Sequence, residues 1–506
     1  MSLRHYIALI ATTIVGSGCV ADNMATAKET HQSLTLNDRI AACSVDARVV
    51  AGTVSTDVCV GADLFLRETF NGNGRSCATC HRVDHNLTID PTLISQLPAN
   101  DPLFIAETNP ALAKLEVPAM MRQFGLILEN VDGFAPDPTT HFVLRSVPHT
   151  LSLATSITRS ASDPVTTPAD RTGWSGDGAP GAGTLRDFQT GAIMQHYTKS
   201  LSRTAGTDFR LATSDELDRI DLFMRQVGRI NELVIPNVVM TDAGAEAGRV
   251  KFLSVGCNGC HTNAGANAGF GDGGNRNFNT GVESARNAAL AAFPKDGGFL
   301  TSPANADGSF GNGTFNVPPL IEAADTGPFF HTAVTISGAS AHNTDVARTI
   351  EEAIAFYDSP AFNNSPAGKV GPIDLTATDI DNIGRFLRGL NASFNIALIS
   401  KRLDASAAVM ALFGTAAHLD IQNQLLNLAV VEAADAQRVL SEVPSLNGVV
   451  ITSMRAVAVL VNDMLASTSV DFRTQNFSEL RQLLAAANAE LGSNLGFKVG
   501  AGTVMF

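Results

Sequence analysis

The stretch "RSCATCHRVDH", Arg75–His85, decides how this chain is read. Two cysteines stand three positions apart with a histidine directly after the second, and the arrangement returns as "VGCNGCHTN", Val255–Asn263. Cys-x-x-Cys-His is the spacing that attaches c-type haem, in which two thiols form thioethers to the porphyrin vinyls and the adjacent imidazole reaches the iron. The spacing is compact because both vinyls lie on one edge of the ring. A zinc ribbon also uses paired Cys-x-x-Cys, and a thioredoxin-like site uses one such pair near a βαβ unit. Here each pair carries its own histidine, the pairs lie 180 positions apart, and the chain opens with an export signal. The expectation is therefore two covalently bound haem c groups. Cys77, Cys80 and His81 would hold the first, and Cys257, Cys260 and His261 the second.

The rest of the composition is compatible with that chemistry. A chain of 506 residues gives a soft prior of about three domains. The formal charge of −14 argues against a nucleic-acid partner, because polyanions are held by Lys and Arg. Arg4 followed by an apolar run from Tyr6 to Val15 and then small residues has the layout of a secretory signal over residues 1–27. Ala25-Thr26-Ala27 has the form of an ordinary cleavage site. Gly18-Cys19 offers a competing lipoprotein site, against which Gly16 stands where a branched residue is usual. A periplasmic or otherwise exported location follows, with lipid anchoring through Cys19 as the alternative and no integral membrane span expected. Export permits disulfides, and of the seven cysteines Cys43 and Cys59 are left over as a candidate bridge.

The duplication extends beyond the cysteine pairs. After the first come "RSVPHTL" (Arg145–Leu151), "GWSGDG" (Gly173–Gly178) and "TLRDFQTGA" (Thr184–Ala192). After the second come "FNVPPL" (Phe315–Leu320), "GPFFHT" (Gly327–Thr332) and "TIEEAIAFY" (Thr349–Tyr357). Aligning Thr184 with Thr349 places Ala192 opposite Tyr357, each pair being 165 positions apart. "SDELDRIDLFMRQVGRI" (Ser214–Ile230) and "ATDIDNIGRFLRGLNA" (Ala377–Ala392) show apolar residues at helical spacing and close the two modules. The fold class expected is mainly α: two tandem cytochrome c-like haem domains, 28–235 and 236–397, plus a helical extension over 398–506 rich in Ala and Leu. The extension, Met410 and His418 included, suggests no chemistry of its own.

Those motifs in that order resemble the bacterial dihaem cytochrome c peroxidase and MauG superfamily, over approximately Gly61–Ala392 and most closely in "VPPL", "TGPFFH", "TIEEAIAFY" and "FLRGL" of the second module. The resemblance implies an oxidoreductase whose second haem passes electrons to a reactive first haem, with a small cytochrome or cupredoxin as donor. Tyr357 matches the position of the second haem's sixth ligand. Ala192, its first-module counterpart, cannot bind iron and would leave that face open to peroxide or dioxygen. His141 and His149 flank Arg145 where family members bring a displaceable histidine to the first haem. Trp174, the only tryptophan, would lie between the haems and assist electron passage. Thr326 and Pro328 match positions whose carbonyls help bind calcium, although Ser146 replaces the usual Asn there. The family's distal Gln and Glu read here as Phe188 and Thr198, so Gln195, His196 or Tyr197 would have to substitute, with His196 chemically best suited. His85 reads as surface, and Met120 and Met121 as core. A phenylalanine-lined pocket is also similar to that of the dihaem rubber oxygenases. Peroxide reduction leads this reading; dioxygen- or peroxide-dependent oxidation of an organic or protein substrate follows, and a non-catalytic electron carrier is the rival from another class.

Overall fold

The computed structural model describes residues 34–130, 141–163, 166–178, 183–266, 274–299, 309, 311–338, 341–442 and 446–506. The signal over residues 1–27 and Cys19 lie outside the described residues. The fold is mainly α, with only short two-stranded sheets.

In the first half, α1 (Leu36–Ser44) and α2 (Thr56–Arg67) are stapled by a disulfide between Cys43 and Cys59. A hairpin follows, β1 (Leu126–Glu129) antiparallel to β2 (Val143–Ser146). Next come α3 (Leu185–His196) and α4 (Ser214–Arg225). The sequence explains both starts. Thr184 with Asp187, and Thr213 with Glu216, form reciprocal capping boxes that satisfy backbone N–H groups left unpaired at a helix N-terminus. The predicted helix over Ser214–Ile230 stops at Arg225, and Gly228 beyond it takes a φ of +67°.

The second half repeats the plan. Strand β3 (Val239–Met240) leads into α5 (Ala243–Ser254), then the pair β4 (Asn277–Phe278) and β5 (Phe315–Asn316), then α6 (Ile350–Phe356) and α7 (Ala377–Phe413). Thr349 with Glu352 and Thr376 with Asp379 cap α6 and α7 by the same box used in the first half.

One crossing occurs twice. Helix α2 packs on α4, and α5 on the first part of α7. At each crossing a glycine lets two backbones touch: a methyl group on Gly61 would lie 1.9 Å from the Arg219 carbonyl oxygen, and one on Gly248 would lie 1.8 Å from that of Asn382. Four residues after each glycine a phenylalanine points the same way, as the helical period requires. Phe65 meets Phe223 at 5.4 Å and Phe252 meets Phe386 at 5.7 Å between ring centroids.

The remaining chain differs in plan from the expectation of a separate extension starting at 398. Helix α7 does not end near Ala392 but runs unbroken to Phe413, through that boundary, because no Gly or Pro interrupts it after Gly389 until Gly414 at φ +77°. Helices α8 (Leu419–Ser441), α9 (Gly448–Leu465) and α10 (Val470–Leu491) then fold back as a bundle on α7. Among the described residues α9 is the one helix long and apolar enough to cross a membrane. It buries Val450, Met454, Val457, Val461 and Met464, one face at helical spacing, against its neighbours. The last residues return to the link between the halves. Strand β6 (Gly492–Ser493) pairs with β3, Ile230 N donates to Lys498 O at 2.9 Å, Gly228 N donates to Thr503 Oγ1 at 2.9 Å, and Phe506 packs edge-on against Phe223.

Candidate functional site

Both cysteine pairs and both following histidines open onto one cavity of about 820 Å³. Its wall is mostly apolar, drawing Phe65, Phe70, Ile157 and Ile193 from the first half and Phe252, Phe315, Ile354 and Phe362 from the second. None of the four thiols is in a disulfide. Burial pushes them up, Cys77 and Cys260 to about 11 and Cys80 and Cys257 to about 12. A thioredoxin-like pair needs the opposite, a stabilised thiolate near a positive charge or helix N-terminus. Among the described residues no three His, Cys, Asp or Glu side chains converge to hold a bare metal ion, which is what a zinc ribbon requires.

The two histidines are prepared in the same manner. His81 Nδ1 donates to Leu87 O at 2.9 Å, and His261 Nδ1 donates to Pro318 O at 3.0 Å. Donation to a carbonyl fixes the proton on Nδ1 and leaves the Nε2 lone pair available, which is how a metal-binding imidazole is oriented. Burial pulls both below the ordinary histidine range, His261 to about 4, so both are neutral near pH 7. Two thiols beside one oriented, neutral imidazole, in an apolar cavity and present twice, fit a covalently tethered porphyrin at each motif.

The walls facing these motifs differ between halves. Ala192 on α3 and Tyr357 at the end of α6 both line the cavity. Their helices begin at equivalent capped threonines, so the alignment made on sequence matches the geometry. Tyr357 stands edge-on to Phe362, centroids 5.1 Å apart, and burial raises its hydroxyl well above the ordinary tyrosine range, with Cys260 and Cys257 close by. In the first half the corresponding space is bounded by Leu185, Phe188, Ala192 and Ile193.

Trp174 lines the cavity and ties the halves together. Its Nε1 donates to Ser146 O at 2.8 Å, while its own carbonyl accepts from Asn316 N at 2.8 Å. His149 also lines the cavity, with Nδ1 accepting from Leu151 N at 3.3 Å, whereas His141 is exposed. His196 faces the cavity and Gln195 does not. Gln195 is fully buried against the hairpin: Asn130 N donates to its Oε1, and its Nε2 donates to Leu128 O, both at 3.0 Å. Burial, then Arg75 and Arg203, push His196 down to about 3, and its Nδ1 is buried without a hydrogen-bond partner. Tyr197 donates to Cys77 Sγ at 3.0 Å. Thr326 and Pro328 both line the cavity, with Thr326 Oγ1 donating to Ala323 O at 3.1 Å. His85 pairs with Asp90 at 3.1 Å on the surface, and Met120 and Met121 are buried in apolar clusters.

Sequence reasoning missed Glu129, in the cavity wall, and Asp296, which joins it through Arg145 to His331, a residue quoted within its motif but given no role. Arg145 was flagged by its motif. Its partners come from a distant loop and a strand with no motif of their own. No family model matches the chain, and neither a curated protein nor a solved structure is significantly similar to it.

Proposed function

We propose that this chain is an exported dihaem c-type cytochrome oxidoreductase that reduces hydrogen peroxide at its first centre with electrons relayed through its second. The observation that carries the reading is the twofold Cys, Cys and carbonyl-oriented His set opening onto one apolar cavity. When bound, haem supplies reversible one-electron chemistry and an iron able to take an oxygen ligand. Cys77, Cys80, Cys257 and Cys260 would tether the two groups, and His81 and His261 would supply an imidazole nitrogen to each. In the same cavity the Ala192 methyl would leave room for a small ligand at the first group, while the Tyr357 phenol would be the side chain available to bind the second. Phe188, Leu185 and Ile193 keep bulk water from the open side, which strengthens electrostatic interactions made there. His196, neutral at working pH, would line the ligand's space with its Nε2 held 3.3 Å from Gln195 Nε2, a polar group there but not a ready proton donor. Trp174, bonded to Ser146 and Asn316, gives electrons an aromatic path between the halves.

The Cys43–Cys59 disulfide supports an oxidising, exported location, with Cys19 as the lipid-anchor alternative. The net charge of −14 suits a basic donor of the small cytochrome or cupredoxin type and no nucleic acid. Calcium at the carbonyls of Thr326 and Pro328 completes the cofactor set proposed. A second reading, dioxygen- or peroxide-dependent oxidation of an organic or protein substrate, is favoured by the apolar wall of α3, where Phe188 lines the cavity and Thr198 does not.

Stopped-flow spectroscopy of the half-reduced protein tests these readings together. Mixing with peroxide should reoxidise the second centre in step with peroxide loss. Reaction with dioxygen alone moves the assignment to the oxygenase reading, and two low-spin centres inert to both oxidants leave an electron carrier.

A further inference from the structure

The polar groups not yet assigned a role meet where the two halves border the cavity. Ile127 and Glu129 alternate along β1, and Arg145 lies opposite Ile127, so all three share the sheet face that lines the cavity. Arg145, 2% exposed, donates from Nε and Nη2 to Asp296 Oδ2 and Oδ1 at 2.6 and 2.7 Å. From Nη1 it donates to Glu129 Oε2 at 3.0 Å and to Ser175 Oγ at 3.4 Å, and Ser175 in turn donates to Asp177. His331 lies flat on Phe315 at 3.9 Å and places Nε2 2.7 Å from Glu283 and 3.9 Å from Asp296.

Asp296 and Glu129 both contact this one guanidinium and Asp177 lies close enough to repel Glu129, so in a buried site these carboxyls do not all ionise alike. The environments separate them. Asp296 takes the bidentate contact and a further N–H from Gly298 at 3.1 Å, so although burial opposes it, Arg145 keeps it below the usual carboxylate range. Glu129 receives one N–H from Arg145; burial, with Asp296 and Asp177 adding repulsion, holds it above that range. Carboxyls pushed apart in this way mark which one carries the mobile proton. Glu129 is also the one of the three in the cavity wall, and its side chain is 18% exposed there.

We propose that Glu129 is the acid–base residue that exchanges protons with an oxygen ligand bound in the cavity, a step that rests on the peroxide reading above. Peroxide reduction consumes two electrons and two protons and yields two waters. The carboxylate takes the proton from the near oxygen, the carboxylic acid returns it to the far oxygen, and the O–O bond breaks as that oxygen leaves as water. The electrons come from the protein's reduced centres, refilled by the donor, and the two further protons come from solvent. His196 is poorly suited to this exchange because its protonated form is scarce near neutral pH.

Cyanide association with the half-reduced protein tests this without turnover, because hydrogen cyanide binds iron as the anion and must leave its proton on a nearby base. Glu129→Gln should slow association about 100-fold, and Glu129→Asp, which keeps a carboxyl, should stay within about tenfold of the unaltered protein. Absorption spectra before mixing should be unchanged in both. Equal rates in Glu129→Gln and the unaltered protein overturn the proposal, and so do equally slow rates in both variants, which would mean that Glu129 only anchors Arg145. If Glu129→Gln does not fold, infrared difference spectra of the unaltered protein decide: a protonated-carboxyl band that shifts on cyanide binding supports the proposal, and its absence overturns it. Peroxide turnover measured in parallel separates the two claims. A protein inert to peroxide but showing the cyanide effect loses the peroxide reading and keeps the proton role; turnover with no cyanide effect does the reverse.

Discussion

The two halves of the molecule share a scaffold and differ at one wall. Each crosses two helices at a glycine, backs the crossing with a pair of phenylalanines, and holds a histidine by its Nδ1 to a backbone carbonyl. Yet a capped helix of equivalent start presents Ala192 in the first half and Tyr357 in the second. On the proposed reading, the difference teaches that the shared framework fixes where a cofactor would sit, while a single side chain on the capped helix would decide whether that centre is open or closed. The polar groups follow the same division, since the first-half pair β1 and β2 carries Glu129 opposite Val143 and Arg145 opposite Ile127, whereas the shorter second-half pair β4 and β5 carries Asn277, Phe278, Phe315 and Asn316, with no ionisable side chain.

The comparison is broken most completely by removing one tether at a time. Changing Cys77 and Cys80 to Ser should leave one covalent haem and no peroxide turnover. Changing Cys257 and Cys260 should also leave one haem, with a first centre that binds ligands but cannot be refilled with electrons. Haem content by alkaline pyridine spectra, together with turnover, reads both; equal ligand binding in the two variants would contradict the assignment of an open and a closed centre.

The shared crossing is tested next. In a helix, Gly→Ala ordinarily stabilises by about 1 kcal/mol. Here the added methyl would stand 1.9 Å from Arg219 O at Gly61 and 1.8 Å from Asn382 O at Gly248, so overlap should win and each substitution should cost about 3 kcal/mol. Urea unfolding should show similar losses at both sites. A gain at either would mean that its crossing does not bring the backbones together.

Tyr357→Phe sharpens the contrast at the wall. The second centre should change spectrum and rise in potential on losing a phenolate ligand, while the first centre's ligand binding is unaltered. An unchanged spectrum would assign the sixth position to another group.

The smallest effect concerns pH. Asp325, buried beside the second half's cavity loop, accepts from Asn391 at 3.0 Å; burial and then Asp435 hold its carboxyl well above the usual range. A raised folded-state pKa means that the folded protein binds this proton more tightly than the unfolded chain does. Its contribution is therefore full below the ordinary carboxylate range and is lost as pH rises through the folded value. Asp325→Asn should flatten the fall in stability between mildly acidic pH and about 8, measured by thermal unfolding across that range, and an identical slope would remove Asp325 as its source.

How much of this was legible in the sequence depends on whether the chemistry is local. The cysteine pairs and their histidines are contiguous, as the proposed haem tether would require of two vinyls and one iron reached from one turn of chain, and so they can be read directly. The helices beginning at Ser214 and Ala377 were readable for the same reason, from apolar residues at helical spacing. The end of α7 was misplaced near Ala392, although no Gly or Pro stands between Gly389 and Gly414, because the change to an Ala- and Leu-rich composition reads as a boundary while the helix runs through it. Glu129 and Asp296 were invisible, and His331 visible only as a motif residue without a role, because the network that relates them spans some two hundred positions and carries no periodicity. Gln195 was readable as a polar group near the site but not as one turned onto β1, a matter decided by tertiary packing.

The most direct test of the account is the number of haem groups that stay with the polypeptide. Mature protein expressed with c-type haem maturation, denatured and extracted with acidified organic solvent, should retain two equivalents per chain by pyridine spectrum, and its mass should exceed that of the polypeptide by two haems. A chain that releases its haem on extraction, or carries one equivalent or none, would contradict the account.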